Sequence, residues 1–212
     1  MIPRLATDCK GVDELLAGGI EEGTVTLVYG EAGSGKTSLA LQLSREAIKT
    51  SSDSVVLFVD TEGLSLERME QIFGDVDQDR LLLIRPSSLS DLHQTLTKKL
   101  EQHDKISLIV VDTINAYVRL SYVKNKERSE RQFLEMTSIL QPLAEKGDFP
   151  VFLSAQVYEK DGEIGPYFGR SLMHPSMKKQ LSGSALQNGP QSCLNNGQTI
   201  FRVDSSRRNF YD

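Results

Sequence analysis

The chain has 212 residues, 39% of them hydrophobic, which suffices for one α/β domain with a real core and leaves little for a large second module. A formal net charge of −5 and a pI near 5.3 exclude an overall basic field for nucleic acid or an anionic membrane, so any DNA contact must come from a local patch. Only Cys9 and Cys193 are present, without a CxxC or Cys/His cluster and without an apolar signal core or membrane-length run, which predicts a cytoplasmic protein free of disulfide framework, zinc site and membrane anchor.

In chain order, residues 11–20 read as a short helix, and Gly18-Gly19 with Gly23 punctuates entry to a strand. Val25, Leu27 and Val28 make that strand a buried one ending at Gly30. Beyond a glycine loop, residues 36–49 place Leu39, Leu43 and Ala47 at helical spacing. The alternation then repeats. Residues 55–60 (VVLFVD) predict a strand, 65–73 a helix, 81–84 (LLLI) a strand and 89–100 a helix. Residues 107–112 (SLIVVD) predict an apolar strand ending in a carboxylate, 127–145 a charged amphipathic helix and 150–156 (PVFLSAQ) another strand. Unbroken apolar strands alternating with helices predict an α/β fold with a mainly parallel central sheet, flanked by helices, over residues 1–173.

Gly30-Glu31-Ala32-Gly33-Ser34-Gly35-Lys36-Thr37 satisfies GxxxxGK[ST] between a predicted strand and a predicted helix, and Ser38 follows it. Glycines let backbone N–H groups turn inward around phosphate oxygens, and a helix N-terminus adds partial positive charge. The pattern predicts an ATP site in which Lys36 reaches the β- and γ-phosphates and Thr37 ligates Mg²⁺. Asp112, after four apolar residues at a strand end, fits a carboxylate that positions the same ion. A strand-terminal Asp alone more often serves a turn, but beside a phosphate loop the balance reverses. Glu62 lies in Asp60-Thr61-Glu62-Gly63 at another strand end, where it either orients a water or simply belongs to a turn. Gln156 ends a later strand, and position alone favours a solvated polar residue over a phosphate contact.

Together these residues resemble the RecA/RadA recombinase family, over about Cys9 to Met173. The resemblance is carried by CKGVDELLAGGIEEGTVTLVYG, VDTEGLSLERM, LIVVDTINAYVRL and SAQVYEKDG, in that order, and is greatest to a short archaeal branch of accessory factors. It implies a RecA-type P-loop NTPase core with Glu62 as the water-activating catalytic residue, Gln156 as the γ-phosphate sensor and Asp112 as the Walker B aspartate. It also implies two DNA-binding loops, at residues 119–130 and 157–170. The first carries Arg119, Lys124, Lys126 and Arg128, with Arg131 just beyond. Interleaved Glu127 and Glu130 allow that cluster to be either a phosphate-contacting patch or a solvated helix face. Residues 1–29 precede the motif, too few for the N-terminal DNA-binding domain and subunit hook of the full recombinases. The resemblance therefore implies a DNA repair and recombination accessory protein that binds ATP, Mg²⁺ and single-stranded or junction DNA. Hydrolysis would be weak or absent, and the partners would be a RadA-type recombinase and a Holliday-junction resolvase. A DNA-stimulated strand-exchange ATPase and a KaiC-like signalling ATPase without a DNA role are the alternatives, and oligomeric state is left open.

The resemblance stops abruptly near His174. Residues 174–212 are rich in Ser, Asn, Gln and Gly, show no strand period and read as loop or disorder, with the closing strands of the sheet missing. Either a reading-frame shift near His174 replaced those strands, since shifted codons can restore strand-like strings, or the segment is a divergent natural tail.

Overall fold

Strands built almost wholly of apolar residues must be covered on both faces, and the computed structural model shows how this is done for residues 3–102, 105–116, 125–160, 163–166, 192–195 and 198–203, which it describes. The elements are β1 (Arg4–Leu5), α1 (Lys10–Leu15), β2 (Ile20–Glu21), β3 (Val25–Gly30), α2 (Lys36–Thr50), β4 (Val55–Asp60), α3 (Leu66–Phe73) and β5 (Leu81–Ile84). They continue with α4 (Leu89–Gln102), β6 (Ile106–Asp112), α5 (Lys126–Gly147), β7 (Val151–Lys160), β8 (Glu163–Pro166), β9 (Ser192–Asn195) and β10 (Gln198–Val203). The main sheet runs β5-β4-β6-β7-β3-β10-β9, parallel from β5 through β10, with β9 antiparallel at the edge and β8 folded back antiparallel on β7. The predicted α/β fold is the one observed.

Because successive strand residues point to opposite faces, each central strand feeds two cores. Val56, Phe58, Val110 and Phe152 pack with Val12 of α1, Leu41, Leu43 and Ile48 of α2 and Phe73 of α3. Leu57, Val59, Ile109, Val111 and Leu153 pack on the other face with Leu92 and Leu96 of α4 and Leu140 and Ala144 of α5. Most of these side chains are completely buried, so the sheet's position is set by apolar burial on both sides. The same register aligns strand ends. Gly30 pairs with Gln156 and Asp60 with Asp112, which brings every strand-terminal residue singled out in the sequence to one edge of the sheet.

Three features differ from the sequence-based expectation. The predicted helix over residues 11–20 stops at Leu15, and Ile20 belongs to β2, which pairs with β1. Gly18 and Gly19 have φ of 113° and 126°, and a Cβ on Gly19 would stand 2.1 Å from the Leu5 carbonyl oxygen, so the glycine pair ends the helix and lets the two short strands meet. The strand predicted to end at Gln156 continues to Lys160 and returns through β8, so much of the expected second loop is a hairpin. Finally, the tail contains β9 and β10, where no strand was expected, and β10 pairs with β3 from Gln198↔Val25 to Val203↔Gly30. The β-prone run Thr199-Ile200-Phe201-Arg202-Val203 is only five residues long, and the polar composition around it concealed the signal.

Candidate functional site

The candidate phosphate loop, residues 30–37, leaves the end of β3 and enters α2 at Lys36. Gly35, immediately before the helix, has φ of 90° and Gly33 has φ of 76°, conformations that side-chain-bearing residues rarely adopt. Beyond the adjoining residues, no atom lies within 4 Å of where a Cβ would stand on either, so both glycines border open space. Glu31, Ala32 and Gly33 are exposed at its tip, whereas Ser34 and Lys36 are buried. The Lys36 ammonium donates to the carbonyls of Gly30 at 3.0 Å and Glu31 at 2.7 Å and to Ser34 Oγ at 3.4 Å, which holds its charge over the loop. Burial lowers its pKa from the usual lysine value, against the opposing pull of Asp112, Glu62 and Glu31.

From the second residue of α2, the Thr37 hydroxyl donates to Asp112 Oδ2 at 2.7 Å. Ser154 on β7 donates its hydroxyl to the other oxygen, Asp112 Oδ1. Asp112 is buried at the end of β6, and desolvation raises its pKa above the ordinary carboxylate value although both hydroxyls and Lys36 work in the opposite direction. A hydroxyl and a carboxylate side by side are a hard-oxygen donor pair suited to Mg²⁺. Among the described residues no group of three or more His, Cys, Asp or Glu side chains could hold a metal by itself. The pair therefore fits an ion whose remaining ligands come from phosphate oxygens and water, and the open glycine loop beside it fits those phosphates.

The two candidate catalytic residues meet across the same edge. Gln156 Nε2 donates to Glu62 Oε1 at 2.9 Å and Oε2 at 2.7 Å. Glu62 is exposed, and the loop that carries it is fixed from beneath by Asp60, a buried residue. Asp60 Oδ1 accepts from the backbone N–H groups of Glu62 at 3.3 Å and Gly63 at 2.8 Å, and Oδ2 from Leu64 N–H and from Arg85 Nε, at 2.8 Å and 2.9 Å. Ser38 accepts from Arg68 of α3, at 3.3 Å and 3.4 Å.

The sequence reading missed Asp60, Thr61, Asn115 and Ser154. Thr61 Oγ1 donates to the Thr113 carbonyl and accepts from its N–H, while Asn115 bonds to the backbone of Gln156. For Ser154 the available signal was a polar residue inside the otherwise apolar run VFLSA, whereas Asn115, which follows Asp112 and Thr113 in VVDTIN, carried no such signal. Of the proposed DNA-contacting cations, Arg119 and Lys124 lie outside the described residues; Lys126 begins α5, and Arg128 and Arg131 are exposed on it.

The Rad51 family model matches residues 1–188. This chain belongs to the Rad51 family. Within that family it is 37% identical over 183 residues to the DNA repair and recombination protein RadB of Methanococcoides burtonii, covering 82% of this chain and 80% of the relative. It is 32% identical over 193 residues to the protein of that name in Thermoplasma acidophilum, with 89% and 82% covered, and 31% identical over 182 residues to that of Archaeoglobus fulgidus, with 82% and 78% covered. Rad51-family membership implies nucleotide binding in general, and the archaeal relatives place the chain in the RadB branch. The Rad51 match also extends beyond Met173, where the motif resemblance stops.

Proposed function

We propose that this protein is an ATP-gated accessory factor of homologous DNA recombination and repair, as the names of its RadB relatives suggest. Residues 30–38 would hold the nucleotide: backbone N–H groups of the loop and the Lys36 ammonium on the phosphates, with Thr37 and Asp112 holding Mg²⁺. Bound Mg²⁺ would neutralise phosphate charge and fix the orientation of the β- and γ-phosphates. Glu62 would orient a water at the γ-phosphate, and Gln156 would sense that phosphate through its side-chain amide.

The observation that carries the reading is the position of Gln156. Its amide bonds to Glu62 at the phosphate edge, and its backbone is where β7 passes beyond the sheet into the β8 hairpin. A γ-phosphate would compete with Glu62 for that amide, so nucleotide state would be transmitted directly to the hairpin. An arrangement in which the catalytic carboxylate and the sensor share one hydrogen-bonding group favours gating over rapid turnover. The hairpin and the α5 cations would face single-stranded or junction DNA, and the partners would be a RadA-type recombinase and a Holliday-junction resolvase. The protein would act in the cytoplasm, in keeping with the absence, among the described residues, of any helix long and apolar enough to cross a membrane.

Lys36→Ala tests the site. Expected are loss of ATP binding, by at least about a hundredfold, and loss of ATP-dependent affinity for single-stranded DNA. Unchanged nucleotide affinity would refute the site. Fast turnover strongly stimulated by single-stranded DNA would replace the gate with a motor.

A further inference from the structure

On the side of β7 that faces β6, the backbone groups of alternate residues need partners from β6. The Pro150 carbonyl accepts from Ile109 N–H at 3.2 Å, and the Ser154 carbonyl accepts from Ile114 N–H at 2.9 Å. Gln156 is the next residue in this alternation, but β6 ends at Asp112 and offers it no strand residue. The Asn115 side chain takes that place. Its Nδ2 donates to the Gln156 carbonyl at 2.9 Å, and its Oδ1 accepts from the Gln156 N–H at 3.3 Å. A carboxamide carries the donor and acceptor of a peptide group, so it can extend a ladder by one rung where the strand itself has turned away. Asn115 is fully buried, which makes both bonds costly to lose.

The segment that carries this rung is also tied to the rest of the site. Asp112 bonds to Thr37 and Ser154, and the backbone of Thr113 pairs with Thr61, which neighbours Glu62. Glu62 and Gln156 thus hang from the same short segment, residues 112–115, that carries the Mg²⁺-side carboxylate. We propose that Asn115 is a positioning residue that couples the phosphate site to the β7–β8 hairpin by fixing the backbone of Gln156. It touches no nucleotide. This rests on the gating role proposed above for Gln156, and its effect belongs in the coupling between ATP and DNA binding, not in ATP affinity itself.

The test measures the full chain's affinity for a fluorescent oligothymidine with and without a non-hydrolysable ATP analogue, alongside affinity for the analogue. Asn115→Ala is expected to shrink the nucleotide-dependent change in DNA affinity at least about fivefold while analogue affinity moves less than about twofold. In a Gln156→Ala background, Asn115→Ala is expected to add nothing further, because it acts through that residue. Amide hydrogen exchange supplies a readout independent of DNA: exchange at Gln156 should accelerate in Asn115→Ala. Should Asn115→Ala fail to fold, Asn115→Leu keeps the side-chain volume and removes both hydrogen-bonding groups, and the same loss of coupling is expected. If Gln156→Ala leaves the nucleotide response intact, the gating reading fails and the coupling proposal with it. If Gln156→Ala abolishes the response and Asn115→Ala does not, the positioning role alone is overturned. Unchanged exchange at Gln156, or additive effects in the double variant, overturns it equally.

Discussion

Asp112 shows at the scale of one residue how the site is maintained against stability. Its carboxyl is buried and its pKa is raised, chiefly by desolvation, above the ordinary value of 3.8. Between that value and the raised one the folded state binds more protons than the unfolded chain, so stability falls as pH rises through the window. At neutral pH the charge is therefore a cost, only partly offset by the hydroxyls of Thr37 and Ser154. Asp112→Asn should raise the melting temperature at pH 7 by about 2–4 °C, a change of about 1 kcal/mol, while weakening Mg²⁺-dependent ATP binding about tenfold or more. The stability gain should shrink as pH falls toward 3.8 and vanish below it. Thermal melts across pH, paired with nucleotide titrations with and without Mg²⁺, check both halves. A variant less stable than the parent at neutral pH would show that the two hydroxyl bonds outweigh desolvation.

At the scale of elements, the β4–α3 connection is shaped by one carboxylate. Asp60 gathers three successive backbone N–H groups and Arg85, and Ser65 then caps α3 by accepting from Arg68 N–H. Asp60→Ala would strip acceptors from this turn and should cost about 2–3 kcal/mol, seen as a lower denaturant midpoint. The Glu62 loop would loosen too, so any ATP hydrolysis should fall in kcat more than in KM. Equal stability in the variant would mean that water replaces the carboxylate without loss. Asp60 also marks how much of the site was legible in the sequence. As candidates, Lys36, Thr37 and Asp112 could be named because their pattern is written locally, in a contiguous loop or at the end of an apolar strand, whereas Glu62 could belong equally to a turn and was singled out only by the family resemblance. Asp60 was visible only as a strand-terminal carboxylate with no assigned task. Thr61, Asn115 and Ser154 act on residues 41 to 52 positions away, and no periodicity encodes a partner at that distance.

At the scale of the whole molecule, the two apolar faces of each central strand made the sheet predictable, but its edges were not. Parallel pairing of β3 with β7 leaves the opposite side of β3 needing backbone partners, and β10 supplies them from Val25 to Gly30. This strand comes from the tail whose composition suggested no structure, because six residues of ladder can be held by a ready-made edge even when the flanking sequence carries no period. The strand that it covers leads straight into the glycine loop, while β7 holds the other side of that strand. Truncation before Ser192 removes β9 and β10 and exposes the edge of β3. The shortened protein should melt at lower temperature and self-associate increasingly with concentration, as unpaired strand edges do. Well below its melting temperature, where β3 remains held by β7, it should still bind ATP within a few fold of the full chain. Sedimentation over a concentration series and nucleotide titration separate the outcomes. A truncated chain with an unchanged melting temperature would mean that β10 adds no stability to the sheet, and early loss of ATP binding would mean that the loop's conformation depends on both neighbours of β3.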